Sequence, residues 1–526
     1  MHKIKSDQIL IPSIWKSINN FCNNKSIEDI TKVVDWVKDK FNIDITIDEN
    51  IVEGYTRDWS NIDGYAVGLC RPKNKIESAI VIRIFHNLKI PYTISAGRTN
   101  LTGSATPKEG FIISIDNLGE VKPFVENNMV TTSPGIYLED MRKNVLDQTQ
   151  NKFYYPVDPT SRKDAMVGGT VSCNASGFIP GDQGATRYWV EELEIVIPNG
   201  RLIKCKRGQY ISMDSIFELD NQIVKLPTYN RPKIKNASGP YTCGNGDIDF
   251  IDLIIGSEGM YGLITECTFK LKPKPKKYLD LFIILESESH AIKLYNHINK
   301  EQKLNIVTAL EYFGYNCQSY MKNRSFFFEK ESEVGIYLQV PLYKQSIDVA
   351  CSEWLEILLE SKCCSSDEKI YVLNDQKSWD TFFEARHSMP DLALKKTKEI
   401  NGISIITDTI VPSENFAQFL NETHSLIKEQ KIEYLLFGHL GDCHLHFHLI
   451  PNQEQEESAI SIYNKIIDIS SKLDGVYSAE HGTGRRKKID FIKCYGIEAV
   501  KQIKKTKKCI DPFLLVNRGN IIDYKS

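Results

Sequence analysis

Along the 526-residue chain the spacing of apolar positions changes several times, and each change predicts an element. Ile27, Ile30, Val34, Val37 and Phe41 recur at helical spacing, so residues 1–60 are expected to form an N-terminal helical segment. Ile76, Ile80, Ile84 and Leu88 recur every four residues and predict an amphipathic helix that Pro91 ends. Tyr92–Ser95 reads as a short strand and Phe111–Asp116 as a buried strand, with a glycine-rich stretch between them. Residues 154–161 hold too much proline for a helix. Leu193, Ile195 and Ile197 alternate, and Asn199-Gly200 predicts a type I′ hairpin. Residues 227–247 read as a long irregular loop. Leu263, Thr265, Cys267, Phe269 and Leu271 make one strand face, which Pro273 and Pro275 stop. Beyond that pair, apolar strands alternate with long polar helices to about residue 475. The mixture predicts an α+β fold in several units, 1–60, 61–275, 276–475 and 476–526. No internal repeat and no low-complexity segment interrupts it.

Composition narrows the class. An apolar fraction of 41% suits a globular protein, and 65 Lys+Arg against 68 Asp+Glu leave a net charge of -3. Such a balance argues against a nucleic-acid surface. The basic stretches "GRRKKIDFIK" and "KQIKKTKK" are expected to be solvated faces. The 13 cysteines are scattered without C-x-x-C, which disfavours zinc ribbons, thioredoxin motifs and iron–sulfur ligation and suggests a reducing compartment. The N-terminal sequence lacks the apolar run of a signal peptide, and no run reaches the length of a membrane span. A cytoplasmic protein is expected, with room for a peripheral contact at the inner face of a membrane and for an oligomer.

Two glycine-rich stretches carry candidate chemistry. In "SAGRTNLTG", Gly97 and Gly103 could free the backbone to aim N–H groups at an anion, with Ser95 and Thr99 adding hydroxyls. A tight structural turn is the other reading. Neither a P-loop nor a G-x-G-x-x-G is present. Gly168-Gly169, Asn174 and Gly177 form a second flexible, donor-rich stretch, and Gly256, Gly259 and Gly262 a third. Two such loops could grip one diphosphate from both sides.

Four of the 11 histidines fall in "HLGDCHLHFH". With period 2, His444, His446 and His448 share one strand face after a Gly441-Asp442 turn. Imidazoles there suit zinc, manganese or iron. A polar face open to water is the alternative.

The order of motifs is more specific. "SAGRTNLTGSATPKEG", "YPVDPTSRKDAMVGGTVSCNASG", "GATRYWVEELEIVIPNG" and "GSEGMYGLITECTFKLKPKP" resemble the FAD-binding domain of the vanillyl-alcohol-oxidase-type (PCMH-type) flavoproteins. "FGHLGDCHLHFHL", "SAEHGTGRRK" and "IDPFLLVNRGNII" resemble the C-terminal half of the D-2-hydroxyacid dehydrogenases among them. That group holds D-lactate dehydrogenases, glycolate oxidase flavin subunits and D-2-hydroxyglutarate dehydrogenase. The resemblance spans residues 60–525.

It implies a two-subdomain FAD-binding domain, a C-terminal α/β substrate (cap) domain with an antiparallel sheet, and a final segment returning to the FAD domain. FAD would meet Gly97, Arg98, Thr99, Asn100 and Gly103, then Pro156, Asp158, Ser161, Gly168, Asn174 and Gly177, then Gly262 and Ile264. Ser95 and Gly169 join this set from the glycine stretches themselves. No histidine lies between Pro91 and Gly110, so the FAD is expected to be non-covalent. His439, His446 and Glu480 match the ligands of a divalent metal, and His481 the base. Arg386 of "WDTFFEARHSMP" matches a substrate-carboxylate arginine, and Asn517 is retained near the flavin or metal. Departures from the pattern are Cys443 for glycine, His444 and His448 for asparagine, and Thr407 for lysine. The resemblance implies oxidation of a D-2-hydroxy acid, with electrons passing to an external quinone, electron-transfer protein or cytochrome. The rivals are a non-catalytic flavin-binding subunit and a related flavoenzyme acting on an alcohol or lipid precursor.

Overall fold

The computed structural model describes residues 3–23, 30–244, 246–364 and 366–523. Three principal sheets organise it. A four-stranded sheet runs in the order Ile45–Thr46, Gly68–Cys70, Phe111–Ser114, Tyr92–Ser95, its last three strands parallel. An antiparallel five-stranded sheet runs Leu202–Lys206, Val190–Val196, Leu263–Lys270, Met129–Thr132, Phe124–Glu126. A seven-stranded antiparallel sheet, Ile370–Val372, Lys277–Leu285, Val334–Leu342, Ala309–Phe313, Glu433–His439, His444–Ile450, Ile405–Ile406, dominates the second half. The fold is α+β, as the alternation of elements predicts.

The helix over Lys75–Leu88 forms between an Asn74 cap, whose side chain accepts from Glu77 N at 2.9 Å, and Lys89 in the left-handed region. Ile90 N then bonds back to Phe85 O at 2.8 Å, closing the helix before Pro91 is reached. The expected apolar stripe is too narrow. Ile76 is exposed, whereas Ala79, Val81, Ile82 and Phe85 are buried along with Ile80, Ile84 and Leu88. The helix is enclosed on two sides because the Pro12–Cys22 helix packs over it, with Arg83 on the Trp15 ring at 4.0 Å. Of the N-terminal helical pattern, Ile30–Phe41 is a helix burying Val33, Val34 and Val37; Ile27 lies outside the described residues.

Two other expectations are corrected. The turn at Asn199-Gly200 is not type I′. Gly200 N bonds to Ile197 O and Ile197 N to Arg201 O, both at 2.9 Å, and only Gly200 has a positive φ, +82°. Pro198 presets the first turn position at negative φ, which gives a three-residue loop closed by a bulge glycine. The strand Leu263–Lys270 does not keep one face. Its register shifts between Ile264 and Glu266. Leu263 therefore packs in the core of the first sheet, while Ile264, Cys267 and Phe269 pack in that of the second. An extra residue at such a bulge turns the following side chains to the opposite face.

In the seven-stranded sheet both faces are dry. Leu279, Leu281, Ile283 and Leu285 point to one core, and Phe282 and Ile284 to the other. The helices Glu288–Lys300, Ile347–Glu360, Phe416–Glu429 and Glu456–Lys472 contribute to the first core and Gln376–Glu399 to the second.

The basic stretches are not simply solvated. Lys487 is buried against Asp408 Oδ2 at 3.1 Å, and Arg486 donates to Leu101 O at 3.2 Å. Lys507 is buried and donates to Met260 O and Val516 O, each at 2.8 Å. Arg486 and Lys507 thereby close contacts between the chain's last segment and its first half. All 13 cysteines are free thiols. Among the described residues no helix is long and apolar enough to cross a membrane.

Candidate active site

A cleft of about 1400 Å³, counted to its open mouth, lies between walls drawn from residues 59–264 and from His439, Glu480, His481 and Asn517. Its lining mixes the apolar side chains of Ile94, Ile115, Pro134, Met166 and Ile264 with the polar groups of Ser176, Glu258, His439, Glu480 and His481.

The first glycine stretch is held in shape by its own asparagine. Asn100 Oδ1 accepts from Thr102 N at 2.9 Å and Ser104 N at 3.1 Å, while its Nδ2 donates to His481 O at 3.4 Å. Gly97 touches backbone: an added Cβ would stand 2.1 Å from Asp164 O. Arg98 adopts φ +55°, and its guanidinium lies over Tyr55 at 4.5 Å and 3.9 Å from Asp116. The second stretch is not an extended loop. Val167–Cys173 is a short helix, and Asn174 caps it in the left-handed region. Gly168 and Gly169 let this helix approach Pro134 and Ala96, where added Cβ atoms would come within 2.5 and 3.1 Å.

Of the predicted cofactor residues, Gly97, Arg98, Thr99, Asn100, Asp158, Ser161, Gly168, Gly169, Gly177, Gly262, Ile264 and Asn517 line the cleft. Four stand behind its wall. Ser95 is fully buried in its strand. Gly103, at φ +80°, turns the chain against Ile62. Pro156 faces a separate pocket beside Tyr154 and Arg142. Asn174 Oδ1 accepts from Arg187 N at 2.9 Å. Asn517 lines the wall with its amide already spent, its Oδ1 accepting from Ile94 N at 2.8 Å and its Nδ2 donating to Glu258 O at 2.7 Å.

The histidines come from a hairpin. His439 ends one strand, a single turn over Leu440–Asp442 follows, and His444 opens the next, directly opposite His439. Cys443 sits at φ +56°, a conformation that glycine adopts without cost. His444, His446 and His448 are all buried, so the face is not open to water. His448 bonds Ser404 Oγ at 2.7 Å. His439, His444, His446 and Glu480 each offer a donor atom, and these four atoms lie within 4.8 Å of one another.

The surroundings suit metal ligation. His439 Nδ1 meets Glu311 Oε1 at 2.8 Å and His446 Nδ1 meets Thr407 O at 2.8 Å, which leaves each Nε2 for a cation. Carboxylate and carbonyl partners of this kind orient metal-binding imidazoles. His444 is fully buried; its Nε2 lies 3.2 Å from Asp408 Oδ1 without good hydrogen-bond geometry, and its Nδ1 has no hydrogen-bond partner. Burial opposes charge on His439, but Glu311 and Glu480 outweigh it and lift its pKa to about 10. Burial, with His446 beside it, lowers His444 to about 3.

His481 stacks on His446, ring centroids 5.8 Å apart and planes 6° from parallel. Its Nδ1 is 3.6 Å from Asp408 Oδ2. Burial lowers its pKa to about 4, so the ring is neutral at pH 7 and able to take a proton. Asp408, fully buried, accepts from Glu480 N at 3.1 Å, His481 N at 2.9 Å and Ser478 Oγ at 2.6 Å. Arg386 does not line the cleft. It lies over Phe178 at 5.0 Å, and Phe178 meets His439 edge-on at 5.8 Å.

Lys235, Phe178, Glu258, Glu311 and Asp408 are site residues that sequence reading missed. Only two of them fall in a recognised motif: Glu258 lies within "GSEGMYG", and Asp408 begins the Asp-x-x-Val-Pro element. Lys235 is 4% exposed; its Nζ bonds Glu480 Oε1 and lies 3.4 Å from Asp442 Oδ2. Thr407 is buried, and its hydroxyl accepts from Phe447 N at 3.0 Å, so it faces the sheet.

The chain matches two families in succession, "FAD binding domain" over residues 66–206 and "FAD linked oxidases, C-terminal domain" over residues 301–521. It is 25% identical to a D-lactate dehydrogenase of Anaerostipes hadrus over 497 residues, covering 91% of this chain and 94% of the relative. It is 24% identical to the glycolate oxidase subunit GlcD of Bacillus subtilis, covering 86% and 87%. A D-2-hydroxyglutarate dehydrogenase of Xanthomonas citri pv. viticola is 23% identical, covering 90% and 93%. The fold is similar to that of p-cresol methylhydroxylase, with a TM-score of 0.67 at 14% identity over 99% of both chains. The two matches follow one another along the chain and mark it as an oxidoreductase built from an FAD binding domain followed by the C-terminal domain of FAD linked oxidases.

Proposed function

We propose that the protein is an FAD-dependent dehydrogenase that oxidises a D-2-hydroxy acid to the 2-oxo acid. The observation that carries this reading is the His481 ring stacked on His446 beside the His439–Glu480 donor set, with His439, Glu480 and His481 lining one glycine-walled cleft.

The cleft fits FAD. Its apolar lining suits a flat heterocycle, and Gly169 lets the short helix approach Ala96 of the first loop. Bound there, the flavin supplies a hydride acceptor. His439, His446 and Glu480 would hold a divalent cation, with His444 within reach of the same position. Such a cation supplies Lewis-acid polarisation of a hydroxyl or carboxylate oxygen. The chain's own residues do the rest. His481, its Nδ1 toward Asp408, takes the hydroxyl proton at Nε2, and a ring with a lowered pKa is free to do so at neutral pH. Asp408 fixes the backbone of Glu480 and His481 together. Arg386 stands behind Phe178, outside the cleft lining, and contributes positive charge toward the site from a distance instead of the carboxylate contact the resemblance implies. The two electrons leave to an external acceptor, a quinone, an electron-transfer protein or a cytochrome. The FAD is non-covalent, for want of a histidine between Pro91 and Gly110.

The test is anaerobic mixing of FAD-loaded protein with D-lactate, glycolate, D-2-hydroxyglutarate and L-lactate. The D-acids or glycolate should bleach the visible flavin absorbance, and L-lactate should do so poorly. Bleaching by a simple alcohol and by no 2-hydroxy acid would replace this reading, and bleaching by nothing would favour a non-catalytic flavin subunit.

A further inference from the structure

The oxygen of Glu480 that faces the histidines already has a cation on it. Lys235 Nζ bonds Glu480 Oε1, the atom that also lies 3.3 Å from His439 Nε2 and accepts from Ser176 Oγ at 3.1 Å. Glu311, Asp442 and Glu480 gather negative charge around a buried ammonium, and they raise its pKa against the opposing effect of burial. The ammonium does not arrive by chance of a floppy stem. The loop carrying it is pinned to the chain's last segment: Asn236 Nδ2 to Tyr495 OH at 2.9 Å, Ala237 N to Ser478 O at 3.1 Å, Ser238 Oγ to Ser478 O at 3.0 Å, and Gly239 N to Thr483 Oγ1 at 3.1 Å.

We infer that Lys235 is a built-in counter-ion of the metal-binding set, which a divalent cation must displace from Glu480, so that this lysine sets how tightly the chain holds its metal. Two cations cannot share one buried carboxylate oxygen without strong repulsion. Displacement has a destination, because Asp442 Oδ2 already stands 3.4 Å from Nζ. Asp442 is itself fixed, its Oδ1 accepting from Gly181 N at 2.7 Å. The backbone of the loop stays, and the four-carbon stem swings. Metal binding is then an exchange of one cation for another. The inference rests on the metal reading given under the proposed function.

Full-length, FAD-loaded protein stripped with a chelator and titrated calorimetrically with Zn²⁺, and separately with Mn²⁺, tests it. Lys235→Met should bind metal about tenfold or more tightly than the wild type, since the competing charge is gone. Lys235→Arg, which keeps the charge, should stay near the wild type. Chelation should also lower the melting temperature of Lys235→Met more than that of the wild type, whose lysine neutralises Glu480 without metal. If Lys235→Met does not retain FAD, Lys235→Gln serves in its place. Metal bound no more tightly by the neutral variants, yet lost in His446→Ala, overturns this inference alone. No binding by wild type or variants overturns the metal reading, and this inference with it.

Discussion

His481 owes its candidate role to its neighbours. Its backbone N–H and its Nδ1 both face Asp408 Oδ2, at 2.9 and 3.6 Å, and its carbonyl accepts from Asn100 and Thr102. The ring is thereby fixed on the cleft wall. His481→Ala removes the proton acceptor and leaves the donor atoms of His439, His446 and Glu480 in place. Flavin reduction by the best substrate should slow by about 10²-fold or more, with FAD and metal content unchanged. Stopped-flow reduction and metal analysis on the same samples check this, and near-normal reduction would remove His481 from the base role. Glu258 is a second residue whose environment decides its chemistry. Burial raises its pKa from 4.5 to about 7, although the N–H groups of Thr483 and Gly484 bond its carboxylate. The folded chain therefore holds this proton to about pH 7, while the unfolded chain releases it near 4.5. Stability from this group is complete below the lower value and is lost as pH rises through the upper one, about 3 kcal/mol in all. Glu258→Gln stays neutral throughout. Its melting temperature relative to the wild type should rise between about pH 4.5 and about pH 7. A constant difference across that range would show that Glu258 does not titrate there.

At the scale of elements, what the sequence made legible was local and periodic. Tyr92–Ser95, the start of the Phe111 strand, the helix over Lys75–Leu88 and the hairpin that faces His439 with His444 all follow from spacing and turn residues. Three kinds of information escaped it. One was packing on a second side, which buries Val81, Ile82 and Phe85 and erases the expected stripe. Another was the effect of single residues on backbone course, seen in the Pro198 turn and in the bulge after Ile264. The third was partnership across long separations. Lys235 meets Glu480 245 residues on, and Asn100 meets His481 381 residues on. Neither pair leaves a periodic trace, because loops that meet only in the folded chain need share no spacing. The candidate ligands were legible because the hairpin brings His439 and His446 together locally. Lys235, Glu311 and Asp408, which tune and orient them, were not.

Over the whole molecule the cleft is a seam. One wall comes from residues 59–264, while His439 and the segment from Glu480 to Asn517 form the other. Side-chain bonds cross it, among them Asn100 and Thr102 to His481, Ser176 and Lys235 to Glu480, Glu258 to the N–H groups of Thr483 and Gly484, and Asn517 to Ile94 and Glu258. A dinucleotide lying along the seam would touch both walls and bind the folded chain but not the unfolded one. Ligand of this kind stabilises by mass action, about 2.7 kcal/mol at a hundred times its Kd. FAD added to stripped protein should therefore raise the melting temperature progressively with concentration, whereas a flavin without the adenine dinucleotide half should raise it less. Since no histidine lies between Pro91 and Gly110 to tether it, the flavin should appear in the supernatant after acid precipitation. A melting temperature indifferent to FAD would mean that the cleft is not its site. Flavin pelleting with the chain would instead mean a covalent bond formed by some other residue, and Cys173, whose side chain lines the cleft 3.8 Å from Asn100 Nδ2, is the first position to substitute in that event.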